Sequence, residues 1–125
     1  MENKWENKNF FEALKNAMNG VVYVVKNGKN IKIQIVIAIL VFIAAIVLKF
    51  TNVELAILVL ICFFIFALEF INTVIERLAD LYTTEYNEEV KVIKDVAAGT
   101  VAIIAIASII IGILLFIPKI IDIIK

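Results

Sequence analysis

Glu69, Asn72, Thr73, Glu76 and Asp80 follow one another through the segment ALEFINTVIERLAD, at the end of a long apolar run. At about 100° per residue, Glu76 and Asp80 fall within roughly 20° of Glu69, on either side of it. Asn72 and Thr73 flank the same line by about 60° and 40°. One helix face therefore carries three carboxylates, an amide and a hydroxyl, descending from hydrocarbon to water over about 16 Å. Taking a carboxylate into the bilayer costs about 2.5 kcal/mol or more, so a glutamate in that position marks function first. Lipid does not tolerate such a face, and protein or a polar ligand must cover it.

The chain has no histidine, so acid–base or metal chemistry must rest on carboxylates. Oxygen-rich sites of that kind favour Mg²⁺ or Ca²⁺. The 125 residues are 63% hydrophobic with a mean hydropathy of +1.02, values that belong to integral membrane proteins. Twelve basic and twelve acidic residues cancel, which leaves no global field to draw a nucleic acid. The single Cys62 lies in an apolar run and reads as a small buried hydrophobe. The charged N-terminus lacks the short apolar core of a secretory signal. The expectation is one domain of residues 1–125, too thin to enclose much core alone, and hence an oligomer.

The elements that must position the acids follow from periodicity. Phe10, Phe11, Leu14, Ala17, Met18, Val21, Val22 and Val25 recur at helical spacing opposite Glu12, Lys15, Asn16, Asn19 and Lys26. This predicts an amphipathic helix over 9–26, capped by Asn9 with Glu12, lying in the membrane interface and packed on its own protein. Asn27–Gly28–Lys29–Asn30 is a turn signal. Spans are expected over 31–49, over 53–75 with a polar continuation to 81, and over 96–117. The third helix begins near Val90 and stops before Pro118 in this reading. Ala98, Ala102, Ala105 and Gly112 form a small-residue stripe for helix packing, against which a lipid tail could also lie. The fold class is an all-α membrane protein with three transmembrane helices and an N-terminal surface helix.

Charge sets the topology. Lys4, Lys8, Lys15, Lys26, Lys29 and Lys32 precede the first span, and Arg77, Lys91 and Lys94 lie between the second and third. The other side carries Lys49, Lys119 and Lys125. The positive-inside rule places the N-terminus and the acidic stripe in the cytoplasm, the compartment that holds ATP.

LEFINTVIERLAD, then EYN, then KDVAAGTV resembles the small prokaryotic diacylglycerol kinase family, whose Gram-positive branch phosphorylates undecaprenol. The likeness runs from the Phe11 helix through Pro118–Lys119, and the stretch KNGKNIKI and the IPK ending are similar to the undecaprenol-kinase branch. The resemblance implies a homotrimer in the bacterial cytoplasmic membrane that uses ATP and Mg²⁺. It implies that Glu69 is the general base for the lipid hydroxyl and that Glu76 is a Mg²⁺ ligand. Asn72, Glu76, Asp80, Glu85, Tyr86, Asn87, Lys94 and Asp95 would line the nucleotide site, and Glu69 with Ala98 would meet the lipid. Undecaprenol is the expected acceptor and diacylglycerol the alternative. The family carries a second metal-ligating glutamate in the turn before the first span, where this chain has Gly28, and a histidine or glutamate where it has Gln34.

Phosphoryl transfer needs a metal or cation on the phosphates and a positioned acceptor oxygen, which Glu76, Lys94 and Glu69 could supply. No Walker A loop or protein-kinase signature is present. Two other classes compete. A channel or proton-coupled transporter would use Glu69 as its ion site, but predicts a partner charge deep in another span, which the sequence lacks. A non-catalytic membrane subunit would use the polar residues as helix glue, and leaves Lys94–Asp95 and the clustered acids unexplained.

Overall fold

The computed structural model describes residues 4–125 as four helices: α1 (Phe10–Asn27), α2 (Ile31–Val47), α3 (Asn52–Tyr82) and α4 (Glu88–Ile124). Among the described residues there is no strand. Three of the helices start where a side chain satisfies a free N–H. Asn9 Oδ1 accepts from Glu12 N–H at 2.9 Å, while Glu12 Oε2 turns to Lys8 N–H at 2.7 Å, so only half of the expected reciprocal cap at Asn9 forms. The complete box lies elsewhere. Thr51 Oγ1 accepts from Glu54 N–H at 3.2 Å and Glu54 Oε2 from Thr51 N–H at 2.8 Å, which begins α3 at Asn52. Asn87 Oδ1 accepts from Val90 N–H at 3.1 Å, starting α4 at Glu88.

α2 ends at Val47, short of the expected 49, because the chain turns out of the helix there. Phe50 N–H donates back to Ala45 O at 3.0 Å and Lys49 N–H to Ile46 O at 3.1 Å, with Lys49 at φ 56°. These are the paired bonds of a Schellman cap, with lysine where glycine is usual and Phe50 buried behind it.

The third spanning helix does not stop at Pro118. α4 continues through the proline to Ile124, although Pro118 has no N–H for the Leu114 carbonyl. Contacts on both sides of it hold the helix in line. Phe116 packs on Phe50 with ring centroids 4.7 Å apart, and Lys119 Nζ reaches Glu54 Oε2 at 3.2 Å and lies 5.9 Å from the Phe50 ring centroid.

At 1.5 Å per residue α3 and α4 are about 46 Å and 55 Å long, against about 30 Å of hydrocarbon. Both are long and apolar enough to cross a membrane and still project from it. α2, with 17 residues, is at the lower limit for a span. α1 meets α2 at 97° and so runs across the bundle, with Phe10, Phe11, Leu14 and Met18 exposed. The buried cluster Ala45, Phe50, Leu58, Ile61 and Cys62 sits toward the end of the bundle remote from α1, closed by Ile104, Ile111 and Leu115 of α4. α4 packs chiefly on α3. Only part of the small-residue stripe serves that packing: Ala105 and Gly112 are half-buried, whereas Ala98 and Ala102 are exposed and Ala97 is buried in their place.

Candidate functional site

Glu69 and Asn72 are the buried polar side chains of the described residues, 1% and 6% exposed. Their burial is a consequence of chain order. The turn at 28–30 brings the start of α2 against the point where α3 changes from apolar to polar, and Ile31, 1% exposed, seals that joint. Thr73 Oγ1 donates to Glu69 O at 2.9 Å, so its hydroxyl is spent within its own helix.

The acids of the α3 face are met one by one from neighbouring elements. Gln34 Nε2 of α2 donates to Glu69 Oε2 at 3.4 Å. Lys29 Nζ, in the α1–α2 turn, lies 3.4 Å from Glu76 Oε1. Lys94 Nζ of α4 lies 2.7 Å from Asp80 Oδ1. That last bond is the leading reason that the Asp80 carboxyl is held below its usual value and the Lys94 ammonium above. Among the described residues three buried oxygens have no hydrogen-bond partner: Gln34 Oε1, Glu69 Oε1 and Asn72 Oδ1. All three can only accept, at least while Glu69 is ionised. A buried acceptor without a donor is costly, so a hydroxyl, a water or a cation belongs against them.

The other expected site residues distribute unevenly. Asp95 pairs with Lys91 at 2.6 Å on the exposed face of α4. Asn87 uses its side-chain oxygen as the α4 cap, and Glu85 and Tyr86 are exposed in the connector. Ala98 is exposed on α4. Gln34 and Lys29 join the site although periodicity assigns neither to the acids; for Gln34 the signal is its place where the family carries a histidine or glutamate, and for Lys29 its place in the turn before the span. Gln34 also stands at the polar end of a cavity of about 400 Å³ between α2, α3 and α4, lined by Ala38, Leu58, Cys62, Ser108 and Phe116 among others.

Hard oxygen donors suit Mg²⁺, yet among the described residues no three Asp, Glu, Cys or His side chains gather tightly enough to enclose a metal. Mg²⁺ commonly takes one or two carboxylates and completes its shell with water and substrate phosphates, so Glu76 beside a nucleotide fits that pattern. Gly28 supplies no second carboxylate. A Cβ built there would lie 2.7 Å from the Val24 carbonyl oxygen, so a side chain requires the end of α1 to move.

Residues 15–116, which contain the whole ladder, match the family model described as prokaryotic diacylglycerol kinase. The chain belongs to that family. It is thus a lipid kinase with ATP as its co-substrate. The chain is similar to the undecaprenol kinase of Bacillus subtilis (strain 168), 34% identical over 110 residues that cover 88% of this chain and 89% of the relative. It is also similar to the diacylglycerol kinase of Synechocystis sp. (strain ATCC 27184 / PCC 6803 / Kazusa), 32% identical over 123 residues, 97% of this chain and 70% of the relative. No solved structure matches the chain significantly.

Proposed function

We propose that this lipid kinase transfers the γ-phosphoryl group of Mg²⁺-ATP to undecaprenol at the cytoplasmic face of the bacterial inner membrane. The observation that carries the reading is the free, buried Oε1 of Glu69, held where α3 passes from hydrocarbon to polar surroundings. A lipid hydroxyl arriving from the bilayer meets that oxygen first. Its oxygen attacks the γ-phosphorus, its proton passes to Glu69, and the bond from phosphorus to the bridging oxygen breaks to release ADP. Lys94 and Asp80 sit further along the same face toward water, the side from which a nucleotide comes. Bound Mg²⁺ would neutralise phosphate charge, and Glu76 is the residue placed to hold it. Asn72, with its unpartnered Oδ1, lies between the two ends.

Undecaprenol is favoured by the Bacillus subtilis relative, 89% of whose own length is matched, against 70% for the Synechocystis one. Diacylglycerol is the second reading, favoured by the Synechocystis relative. The apolar cavity beside Gln34 suits the tail of either. The homotrimer is part of the proposal. Leu78, Leu81 and Tyr82 are 60%, 77% and 77% exposed beyond the apolar part of α3, where lipid cannot cover them and a second subunit can.

The test is transfer from labelled ATP by purified protein in bilayers, with both lipids offered in parallel and Glu69→Gln as the blank. Phospholipid above the blank supports the kinase, and the ratio of rates selects the lipid. Product from neither lipid across a wide Mg²⁺ range overturns the proposal and brings forward the non-catalytic reading.

A further inference from the structure

Lys29 is where this chain adds a charge that its site would otherwise lack. The turn that carries it is fixed on both sides. Gly28 N–H donates to Val24 O at 2.7 Å, Gln34 N–H donates to Asn30 O at 3.0 Å, and Ile31 is buried between them. The backbone at 29 is therefore held between the last turn of α1 and the first turn of α2, and the side chain, 73% exposed, projects to Glu76. Its contact of 3.4 Å is long for a charge-assisted bond, which is about 2.7–2.9 Å when well formed. The neighbouring Asp80 is already engaged by Lys94 at 2.7 Å. Lys29 is held near the acids without being committed to them.

The preceding residue, Gly28, offers no carboxylate, and no three acidic side chains among the described residues close on a metal. Compared with a turn bearing an acid at 28 and no cation at 29, this turn is two charges more positive. That favours phosphate oxygens and disfavours a second cation. A lysine ammonium is a compact charge with three donors on a flexible stem, suited to moving from one oxygen to another.

We infer that Lys29 is a phosphate-binding residue: it rests on Glu76 before a nucleotide binds and transfers to the nucleotide phosphates when one does. The inference rests on the kinase reading and specifies how its nucleotide is held. Lys29 thus takes over charge neutralisation that a more acidic turn would leave to Mg²⁺.

Wild type, Lys29→Met and Lys29→Arg are compared in detergent. Binding of the β,γ-methylene analogue of ATP with excess Mg²⁺ is measured by equilibrium dialysis, and transfer to undecaprenol and diacylglycerol is measured alongside. Lys29→Met is expected to bind the analogue about tenfold more weakly and raise KM for ATP by a similar factor, with Lys29→Arg close to wild type. Without nucleotide, Lys29→Met binds Mn²⁺ more tightly, because the amine no longer competes for Glu76. Equal analogue binding by wild type and Lys29→Met overturns the inference, as does an arginine variant as weak as the methionine one. Wild type that binds the analogue but phosphorylates neither lipid overturns the kinase reading alone. Wild type that binds no analogue overturns both.

Discussion

Gln34 Nε2 on α2 donates to Glu69 Oε2 at 3.4 Å and leaves Glu69 Oε1 without a partner, so the two carboxylate oxygens are not equivalent. The Gln34 Oε1 atom is itself unpartnered, and Gln34 lines the cavity between α2, α3 and α4. A hydroxyl has one proton to give. On the proposed mechanism that proton goes to Glu69, with Gln34 beside the carboxylate.

Replacing Gln34 by Leu removes that hydrogen bond and leaves the carboxylate unbonded. The expected result is a fall in kcat of about two- to tenfold, since a hydrogen bond of ordinary strength contributes about 0.5–1.5 kcal/mol and 1.4 kcal/mol is a factor of ten. KM for ATP stays near wild type, because Gln34 lies at the lipid end of the ladder. Steady-state kinetics with ATP and lipid varied separately check it. A change in KM for ATP with kcat intact would contradict the positioning role.

The Lys94–Asp80 pair makes a statement about pH. Asp80 has its carboxyl lowered by the Lys94 hydrogen bond, so the stabilisation is present above the ordinary carboxylate pKa and disappears as pH falls through the depressed value. Lys94 is raised by the same bond, so its share is present below the ordinary lysine pKa and disappears as pH rises through the elevated one. The pair therefore spans the whole neutral range. Carboxyl NMR of Asp80 should show a titration that moves up, toward the usual range, in Lys94→Gln.

Lys49 carries the left-handed cap of α2 at φ 56°, a region that glycine enters without strain. Lys49→Gly is expected to stabilise the fold by about 0.5–1 kcal/mol, the reverse of the usual effect of introducing glycine. Reversible unfolding in mixed micelles reads this directly. A destabilised variant would mean that the cap is relaxed as it stands.

Thr51 opens α3 and also orients Glu54 toward Lys119. Thr51→Ala should cost about 1 kcal/mol through loss of the cap. Because Glu54 is freed at the same time, the mutation should be less than additive with Lys119→Met in a double-mutant cycle. Strict additivity would show that cap and ion pair act independently.

Much of this could be read before any coordinates. The spacing of Glu69, Asn72, Glu76 and Asp80 defined one face of one helix, and the family motif gave the chemistry. What periodicity could not supply were the partners from other elements. Gln34 and Lys29 come to the stripe only because the chain bends by 97° between α1 and α2, and no pattern in the sequence encodes that angle. Asn87, a residue within the family motif, has its side-chain oxygen on a helix cap, a second role that the motif alone does not show. Pro118 was read as a stop because it removes a backbone bond, but Phe116 and Lys119 are tied down on either side of it. The Thr51–Glu54 box was a readable signal, a threonine three residues before a glutamate at the head of an apolar run.

The clamp of Phe50, Glu54, Phe116 and Lys119 at one end and the sealed Glu69 at the other make α3 a ruler. From Glu54 to Glu69 the helix rises about 22 Å, and neither end can slide relative to the bundle. With Glu69 as the proposed base, its depth would be referenced to the far surface of the bilayer rather than to the near one. Hydrophobic mismatch then becomes a catalytic variable. A thicker membrane draws Glu69 below the headgroups and away from water-borne phosphate, while a thinner one lifts it out of reach of a lipid hydroxyl. Tilt of the whole bundle is the motion left to compensate. The membrane's own thickness would in this way help to set how fast its lipid is phosphorylated.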